Sequence, residues 1–251
     1  MIGLGLTSDR ADQMILADRA YAELRARILD LRLRPGQIVH ELGLAADLGM
    51  GRESIHGALV RLQGEGLVEP LPRRGFRVTV PAVDTMREIY EIVGALEGQA
   101  VRRAAREGGA ILIAALEASI DAQEAALRAD DLESWGRADR RFHELLREAA
   151  GNRRLRETIY QYDGQLQRAR AATLHLRAKP RRSTDDHQAI LEAIVRRDEE
   201  AAVRVHHAHR RRADAEMLAA IQAYVESMAD RSPRASANGA WPDLPRPGGH
   251  A

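Results

Sequence analysis

Hydrophobic residues in the first third of the chain follow a helical period and then a strand period. Spacings of three and four residues predict helices over three ranges, 17–33, 41–48 and 52–65. Arg34-Pro35-Gly36 is expected to end the first helix, and Gly49-Met50-Gly51 to separate the other two. Apolar and β-branched residues around a Pro-Arg-Arg loop then predict two short strands, at 66–70 and 75–80.

The rest of the chain predicts a bundle of amphipathic helices. Six helices are expected, at 84–107, 110–129, 131–149, 152–178, 181–197 and 198–228. The final segment, 230–251, contains four prolines among Ser, Gly and Asn and predicts a disordered tail. The fold is therefore expected to be mainly α, with a winged helix-turn-helix followed by an all-α bundle. Its predicted divisions are a flexible N-terminus, a winged domain, a linker, a helical sensor and the tail, at 1–16, 17–80, 81–83, 84–229 and 230–251.

Composition narrows the function classes without selecting one. The 251 residues are 45% hydrophobic and only 4% aromatic, which favours helices packed on aliphatic side chains. Cysteine is absent, so disulfides, thiolate zinc sites and a cysteine nucleophile are excluded. The net charge of +1 carries no message about partners. No apolar run is long enough to cross a bilayer, and no secretory signal is visible, so we expect a cytoplasmic protein without a membrane partner.

The N-terminal elements have the order of a DNA-reading unit. In such a unit one helix supports a second helix, which enters the major groove and presents its first turns to base edges. A basic loop between the two strands suits phosphates or the minor groove. The expected DNA contacts are Arg52, Glu53, Ser54, His56, Arg61, Arg73, Arg74 and Gly75. The same elements also occur in domains that never bind DNA, so the pattern alone leaves both interpretations open.

The motifs of this unit resemble the N-terminal domain of GntR-family bacterial transcription regulators. The resemblance rests on Leu33-Arg34-Pro35-Gly36, Leu44-Ala45, Leu48-Gly49-Met50-Gly51-Arg52, Gly64-Glu65-Gly66-Leu67-Val68 and Arg74-Gly75-Phe76-Arg77-Val78. It implies binding of double-stranded DNA at a palindromic operator by a homodimer. Three positions depart from the family pattern, because a basic residue, a Ser or Thr cap and an arginine are usual where Leu42, Gly51 and His56 stand.

Candidate metal ligands lie in the predicted bundle. Asp139 and His143 are four residues apart and hence on one face of one helix, close enough to hold a single ion. His187 and His209 lie on later helices. One carboxylate with three imidazoles suits Zn²⁺ best, with Ni²⁺ and Mn²⁺ as alternatives. On spacing alone, Asp139 and His143 are more typical of a solvated pair, and single histidines are more typical of surface or packed core positions than of a metal site.

A second resemblance concerns the bundle. Asp139-x-x-Phe142-His143, Ala149-Ala150-Gly151-Asn152, His187-Gln188-Ala189-Ile190-Leu191 and Asp198…His209 resemble the FCD ligand-binding domain of the FadR subfamily, with six helices as in its VanR-like branch. This resemblance implies a divalent metal on Asp139, His143, His187 and His209, and a small carboxylate effector. An arginine that family members use for the effector is replaced by Val93 and Gly94. We therefore expect the effector to contact Arg102, Tyr90 and Asn152, and we expect His206 at the surface.

These observations predict a regulator and not an enzyme. The leading hypothesis is a repressor whose operator binding is modulated by a carboxylate held at the metal. A metal-free regulator, in which Asp139 and the three histidines form a polar network, is the first alternative. A helical metalloenzyme is the second, and it would leave the N-terminal unit unexplained.

Overall fold

In the computed structural model, residues 5–231 are described, and side chains are described over 15–228. The winged domain contains three helices, α1 (Gly5–Leu29), α2 (Glu41–Leu48) and α3 (Arg52–Gly64). It also contains three strands, β1 (Ile38–Val39), β2 (Val68–Leu71) and β3 (Gly75–Val78), in the antiparallel order β1-β3-β2. The predicted winged helix-turn-helix is confirmed.

The winged domain differs from the prediction mainly in the extent of its first helix and in one additional strand. The first helix covers Gly5–Leu29 and not 17–33, so the chain is already helical within the segment predicted to be flexible. It ends before the proline, because Leu31 has a positive φ of 59°. Strand β1 was not predicted, since two residues give no alternating pattern. It pairs with β3 through Ile38 opposite Arg77 and Val39 opposite Phe76.

Aliphatic side chains from α1, α3 and the residues before β2 hold the winged domain together. Leu24, Ile28, Ile55, Leu62 and Leu67 have no exposed surface. The turn between α2 and α3 depends on Gly49, whose φ of 62° is left-handed and costs a glycine little. Helix α3 then begins after Gly51, which provides no side-chain cap, as the sequence indicates.

The bundle contains the six predicted helices. They are α4 (Val83–Glu107), α5 (Ala110–Arg128), α6 (Leu132–Ala149), α7 (Arg153–Thr173), α8 (Arg181–Val195) and α9 (Glu199–Arg231). The helix predicted at 152–178 ends earlier, at Thr173, and continues as a short 3-10 turn over Leu174–Leu176. Helix α9 extends to Arg231, beyond the predicted start of the tail, and residues 232–251 lie outside the described part of the chain.

Packing in the bundle brings α4, α6, α8 and α9 around one interior. Phe142, Leu146, Ile190 and Ile194 form part of an aliphatic core at one end. A second core, which includes Val93, Ile159 and Ile221, fills the other end. Within residues 5–231 no helix is long and apolar enough to cross a membrane.

Candidate DNA interface and metal centre

The first turn of α3 presents polar side chains at the surface of the winged domain. Arg52, Glu53 and His56 are exposed, whereas Ser54, also predicted to contact DNA, is only 8% exposed. The Glu41 carboxylate on α2 binds two of them, with Oε2 2.9 Å from Arg52 Nε and Oε1 2.8 Å from His56 Nδ1. These hydrogen bonds, that of His56 first, lower the pKa of Glu41. An acidic residue therefore lies between the two basic groups best placed to meet DNA.

The loop between β2 and β3 carries the predicted basic tip. Arg73 and Arg74 are exposed there, and Arg73 has a positive φ of 64°. Gly75 has a φ of 82°, and a Cβ atom on it would lie 2.4 Å from the carbonyl oxygen of Val39, so a side chain is sterically excluded. The conformation in which this loop could approach the DNA backbone or a groove therefore depends on Gly75.

Arg61, another predicted DNA contact, is engaged with α1. Its Nη1 lies 3.1 Å from Asp18 Oδ1, and its guanidinium lies 3.6 Å from the centre of the Tyr21 ring. This arrangement ties the C-terminal half of α3 to α1. The contacts of Arg61 indicate a role in joining these helices.

The four predicted metal ligands come together inside the bundle. Asp139 and His143 come from α6, His187 from α8 and His209 from α9, and their exposed fractions are 6%, 2%, 0% and 3%. One nitrogen from each histidine lies within 4.8 Å of the other two. Asp139 Oδ1 lies 3.8 Å from His143 Nε2 and 3.9 Å from His187 Nε2. Three imidazoles from three helices therefore lie together, and the Asp139 carboxylate lies beside two of them.

A chain of hydrogen bonds fixes which nitrogen of His187 is free. Trp135 Nε1 donates to Thr184 Oγ1 at 3.0 Å, so the Thr184 hydroxyl donates its proton to Gln123 Oε1 at 3.3 Å. The same oxygen accepts from His187 Nδ1 at 2.8 Å. His187 Nδ1 therefore carries the proton, and Nε2 is left with a lone pair directed at Asp139. That buried Nε2 has no hydrogen-bond partner, as a metal ligand requires.

Carboxylates face the Nδ1 atoms of the other two histidines. Asp186 Oδ2 lies 3.2 Å from His209 Nδ1, and Glu97 Oε2 lies 3.7 Å from His143 Nδ1. The Phe142 ring stacks on His187 with 4.1 Å between ring centres. Groups of this kind orient imidazoles that bind metals. Burial lowers the pKa of both His143 and His187 well below the usual value, so both rings are neutral, the form that coordinates a cation.

Glu97 is the centre of a second buried cluster next to the histidines. Its Oε1 accepts from Arg147 Nε at 2.9 Å and from Arg147 Nη2 at 2.6 Å. Its Oε2 lies 3.5 Å from His206 Nε2 and 3.7 Å from Arg210 Nη1. Burial alone would raise the pKa of Glu97, but the charges led by Arg147 outweigh it and hold the pKa well below the usual value.

The expected surface position of His206 is wrong. This residue has no exposed surface and contacts Glu97, because α9 is enclosed by α4 and α8 where it carries His206. Arg147 was missed by sequence reasoning, although its position offered a signal. It lies four residues after His143 and hence on the same buried face of α6. Gln123 and Arg170 offered no such signal, since each reaches the site from a different helix.

Basic and phenolic groups lie near Asp139. Arg170 Nη1 on α7 lies 3.8 Å from Asp139 Oδ2. The buried Tyr90 hydroxyl and the Nε of the half-buried Arg177 have no hydrogen-bond partner. Burial raises the pKa of Tyr90 to about 12, so the phenol stays protonated and is available as a donor. These groups could receive an anionic ligand beside the histidines.

Two of the three predicted effector contacts have other roles. Arg102 pairs with Glu200 at 2.6 Å on the outside of the bundle. Asn152 is exposed and caps α7, with Oδ1 accepting from the backbone N–H of Leu155 at 3.1 Å. Tyr90 alone lies near Asp139, through the shared neighbour Arg170. The prediction that Arg102 and Asn152 contact the effector is therefore corrected, because neither residue lies beside Asp139 and the histidines.

A winged helix-turn-helix joined to an all-α bundle is an architecture of DNA-binding regulators. Residues 16–78 match the bacterial regulatory proteins of the gntR family, and residues 88–212 match the FCD domain. The chain belongs to the GntR family of transcriptional regulators and carries an FCD domain.

Relatives and solved structures agree with this assignment. An HTH-type transcriptional regulator from the TAR-I ttuE-ttuC' intergenic region of Agrobacterium vitis is 37% identical over 147 residues, 56% of this chain and 86% of that protein. The HTH-type transcriptional repressor RspR of Escherichia coli K12 is 26% identical over 184 residues, 73% of this chain and 81% of that protein. A GntR transcriptional regulator from Rhodococcus sp. RHA1 shares the fold, with a TM-score of 0.68 and 22% identity over 81% of this chain and 97% of that one.

Proposed function

We propose that this GntR-family regulator is a metal-dependent repressor that responds to a small carboxylate. The observation that carries the proposal is the buried cluster of His143, His187 and His209, with the unpartnered Nε2 atom of His187 3.9 Å from Asp139 Oδ1. Three nitrogens and one carboxylate oxygen suit Zn²⁺, with Ni²⁺ or Mn²⁺ as alternatives. The bound ion would give an anionic ligand a strong and orienting partner.

Arg170, Arg177 and Tyr90 are the proposed effector contacts. Each brings a donor to the region around Asp139, and the Tyr90 hydroxyl and Arg177 Nε are without a partner. A carboxylate between them would satisfy these donors. The proposal replaces Arg102 and Asn152, which are engaged elsewhere, and it accounts for an effector site without the family arginine at Val93 and Gly94.

Repression, dimerisation and a cytoplasmic location complete the proposal. The E. coli relative named as a repressor supports the direction of regulation. A single winged domain buries little surface on DNA, so two copies on a palindromic operator would raise both affinity and specificity. The regulator would act without catalysis, as the names of its relatives as transcriptional regulators suggest.

The test begins with selection of genomic DNA fragments on the purified protein at near-physiological salt, with and without added Zn²⁺. Specific binding should survive this salt far better than background binding to phosphates. One palindrome, recovered more efficiently with metal, would support the proposal. Equal recovery after chelation would favour the metal-free regulator, and turnover of a carboxylate would favour the metalloenzyme.

Metal content is then measured directly in two variants. His143→Ala and His209→Ala should each lose most of the bound metal, because each variant removes one of the few side chains proposed to bind the ion. His207→Ala is the matched control, since His207 is exposed on the same helix as His209. Undiminished metal stoichiometry in the two ligand variants would refute the assignment.

A further inference from the structure

The winged domain rests on the bundle mainly through one helix, α7. Arg25 Nη2 of α1 lies 3.4 Å from Asp163 Oδ2, and Gln165 Nε2 donates to the backbone carbonyl of Glu65 at 3.1 Å. Arg168, one turn further along α7, reaches the end of the β-hairpin. Polar contacts from three positions of a single helix therefore set how the two domains meet.

The two domains approach each other closely at this helix. A Cβ atom on Gly164 would lie 3.0 Å from Leu67 Cδ1, tighter than ordinary packing allows. Glycine inside a helix costs about 1 kcal/mol relative to alanine. At Gly164 the absence of a side chain lets Leu67 pack directly against α7, and this burial of Leu67 offsets the cost.

Arg168 is the most deeply buried polar side chain of this contact, at 2% exposure. Its Nη1 donates to the carbonyl oxygen of Leu67 at 3.3 Å and to the Thr79 hydroxyl. Thr79 in turn donates to the carbonyl oxygen of Gly66 at 2.6 Å. One guanidinium thus joins the residue before β2 to the residue after β3, the two ends of the hairpin that carries the basic loop.

The acceptors of Arg168 are neutral, which makes this contact unusual. Burial lowers the pKa of Arg168 to about 10, so the side chain is still charged at neutral pH. Among residues 15–228, its hydrogen bonds go to a carbonyl and a hydroxyl and not to a carboxylate. A buried cation without an acidic partner is costly, so general stability gives little reason to place it here.

Open clefts border the contact on both sides. One, of about 700 Å³, lies between α1 and α7 and is lined by Tyr21, Arg25 and Tyr160. The other, of about 790 Å³, lies beside the linker and is lined by Pro81, Arg168 and Val225. Because little protein fills these spaces, the α7 contact is the principal restraint on tilting of the winged domain.

We propose that Arg168 is a positioning residue for DNA binding, which fixes the orientation of the winged domain, and with it Arg73 and Arg74, relative to the bundle. Its role is separate from the metal and effector of the proposed function and requires only the DNA binding of the family. The same helix carries Arg170, whose Nη1 lies 3.8 Å from Asp139 Oδ2 on the ligand side. Helix α7 therefore contacts both the ligand region and the DNA-binding domain.

Distance measurement between spin labels tests the orientation directly. The chain has no cysteine, so Gln63→Cys on α3 and Ala118→Cys on α5, both exposed, give one unique pair of labels. The labelled chain is diluted with excess unlabelled protein, so that only distances within one chain are read. We expect a narrow distribution with Arg168 present and a broader one in Arg168→Gln. Arg154→Gln, an exposed arginine of the same helix, is the control and should leave the distribution narrow.

DNA binding of the same variants provides the second measurement. Arg168→Gln should bind the selected operator about five- to twentyfold more weakly, with unchanged Zn²⁺ stoichiometry and unchanged binding to non-specific DNA. Thr79→Val removes the hydroxyl acceptor and should reproduce the broadening, and it decides the question if Arg168→Gln fails to fold. Unchanged distance distributions in the folded variants would overturn the proposal. A broader distribution in Arg168→Gln would support the proposal even if the native chain bound no Zn²⁺, so failure of the proposed function is read separately, from the metal content of the native chain.

Discussion

Glu41 holds Arg52 in an ion pair, with 2.9 Å between Oε2 and Nε, at the exposed first turn of α3. The Arg52 side chain is 67% exposed and that of Glu41 only 17%, so the arginine has more freedom than the carboxylate to turn towards a ligand. The same carboxylate also binds His56. If Arg52 and His56 contact DNA as the sequence predicts, each would have to give up this acidic neighbour to do so.

Replacing Glu41 with glutamine should strengthen DNA binding. The change removes a negative charge near the phosphates and frees Arg52, so affinity should rise about three- to tenfold at low salt and less at high salt. Fluorescence anisotropy over a salt series measures both effects. Asp30→Asn is the matched control, because it removes an exposed negative charge of the winged domain that pairs with Arg32 and not with Arg52. Weaker binding of Glu41→Gln would mean that the carboxylate orients Arg52 for base contact.

Replacing Arg52 with alanine should weaken operator binding by roughly 1–3 kcal/mol and relax discrimination at one base position. The reason is that a guanidinium at the start of the recognition helix can donate two hydrogen bonds to one guanine. Binding to a panel of operators with single base changes measures the loss. Equal losses on specific and non-specific DNA would show that Arg52 contacts phosphate and not a base.

The hydrogen bond from His187 to Gln123 should matter for metal binding without contributing a ligand. Gln123→Leu removes the acceptor that keeps the proton on His187 Nδ1, so Zn²⁺ affinity should fall about 10–100-fold. Competition with a chromophoric chelator measures this change. Gln99→Leu, at an exposed position of α4, should leave affinity unaltered. Unchanged affinity in Gln123→Leu would show that the tautomer of His187 is set in another way.

Glu97 and Arg147 form a buried ion pair, and either charge would destabilise the protein if its partner were removed. Their side chains are 1% and 3% exposed, so Glu97→Ala leaves a guanidinium without its acid and should destabilise the protein by about 3–5 kcal/mol. Urea unfolding of the metal-free protein gives the value. Glu97→Ala combined with Arg147→Met should recover part of the loss, since no lone charge remains. Additive losses in the double variant would contradict this coupling.

Asp214 should make stability depend on pH. Burial raises its pKa to about 6, against the opposing charge of Arg210, while the unfolded value is 3.8. The folded state therefore holds the proton more tightly, and Asp214 costs stability as pH rises from about 4 to about 6. Relative to the native chain, Asp214→Asn should gain stability over this window and then level off. Urea midpoints at pH 5, 6 and 7.5 measure the difference, and a constant difference would contradict the shift.

Local sequence patterns predicted the helices and strands, whereas the partners of the buried histidines and of Glu97 were visible only in the structure. The six bundle helices follow from apolar spacing and from breaks such as Lys179-Pro180, because each depends on neighbours in sequence. Asp139 and His143 share a face by their spacing alone. The positions of Arg102, Asn152 and His206 were wrong because orientation in a bundle depends on how helices pack. Spacing could place Arg147 on the buried face of α6, but its pairing with Glu97, and that of Gln123 with His187, joins helices distant in sequence and needed the structure.

Two glycines face the contact between the winged domain and α7. A Cβ atom on Gly66 would lie 2.7 Å from Gln165 Nε2, and one on Gly164 would lie 3.0 Å from Leu67 Cδ1. At these two positions the winged domain and α7 are packed too closely to accept a methyl group without movement of a neighbouring side chain. A single alanine at Gly164 would press on the Leu67 side chain and force it to shift, while leaving every charge of the contact in place.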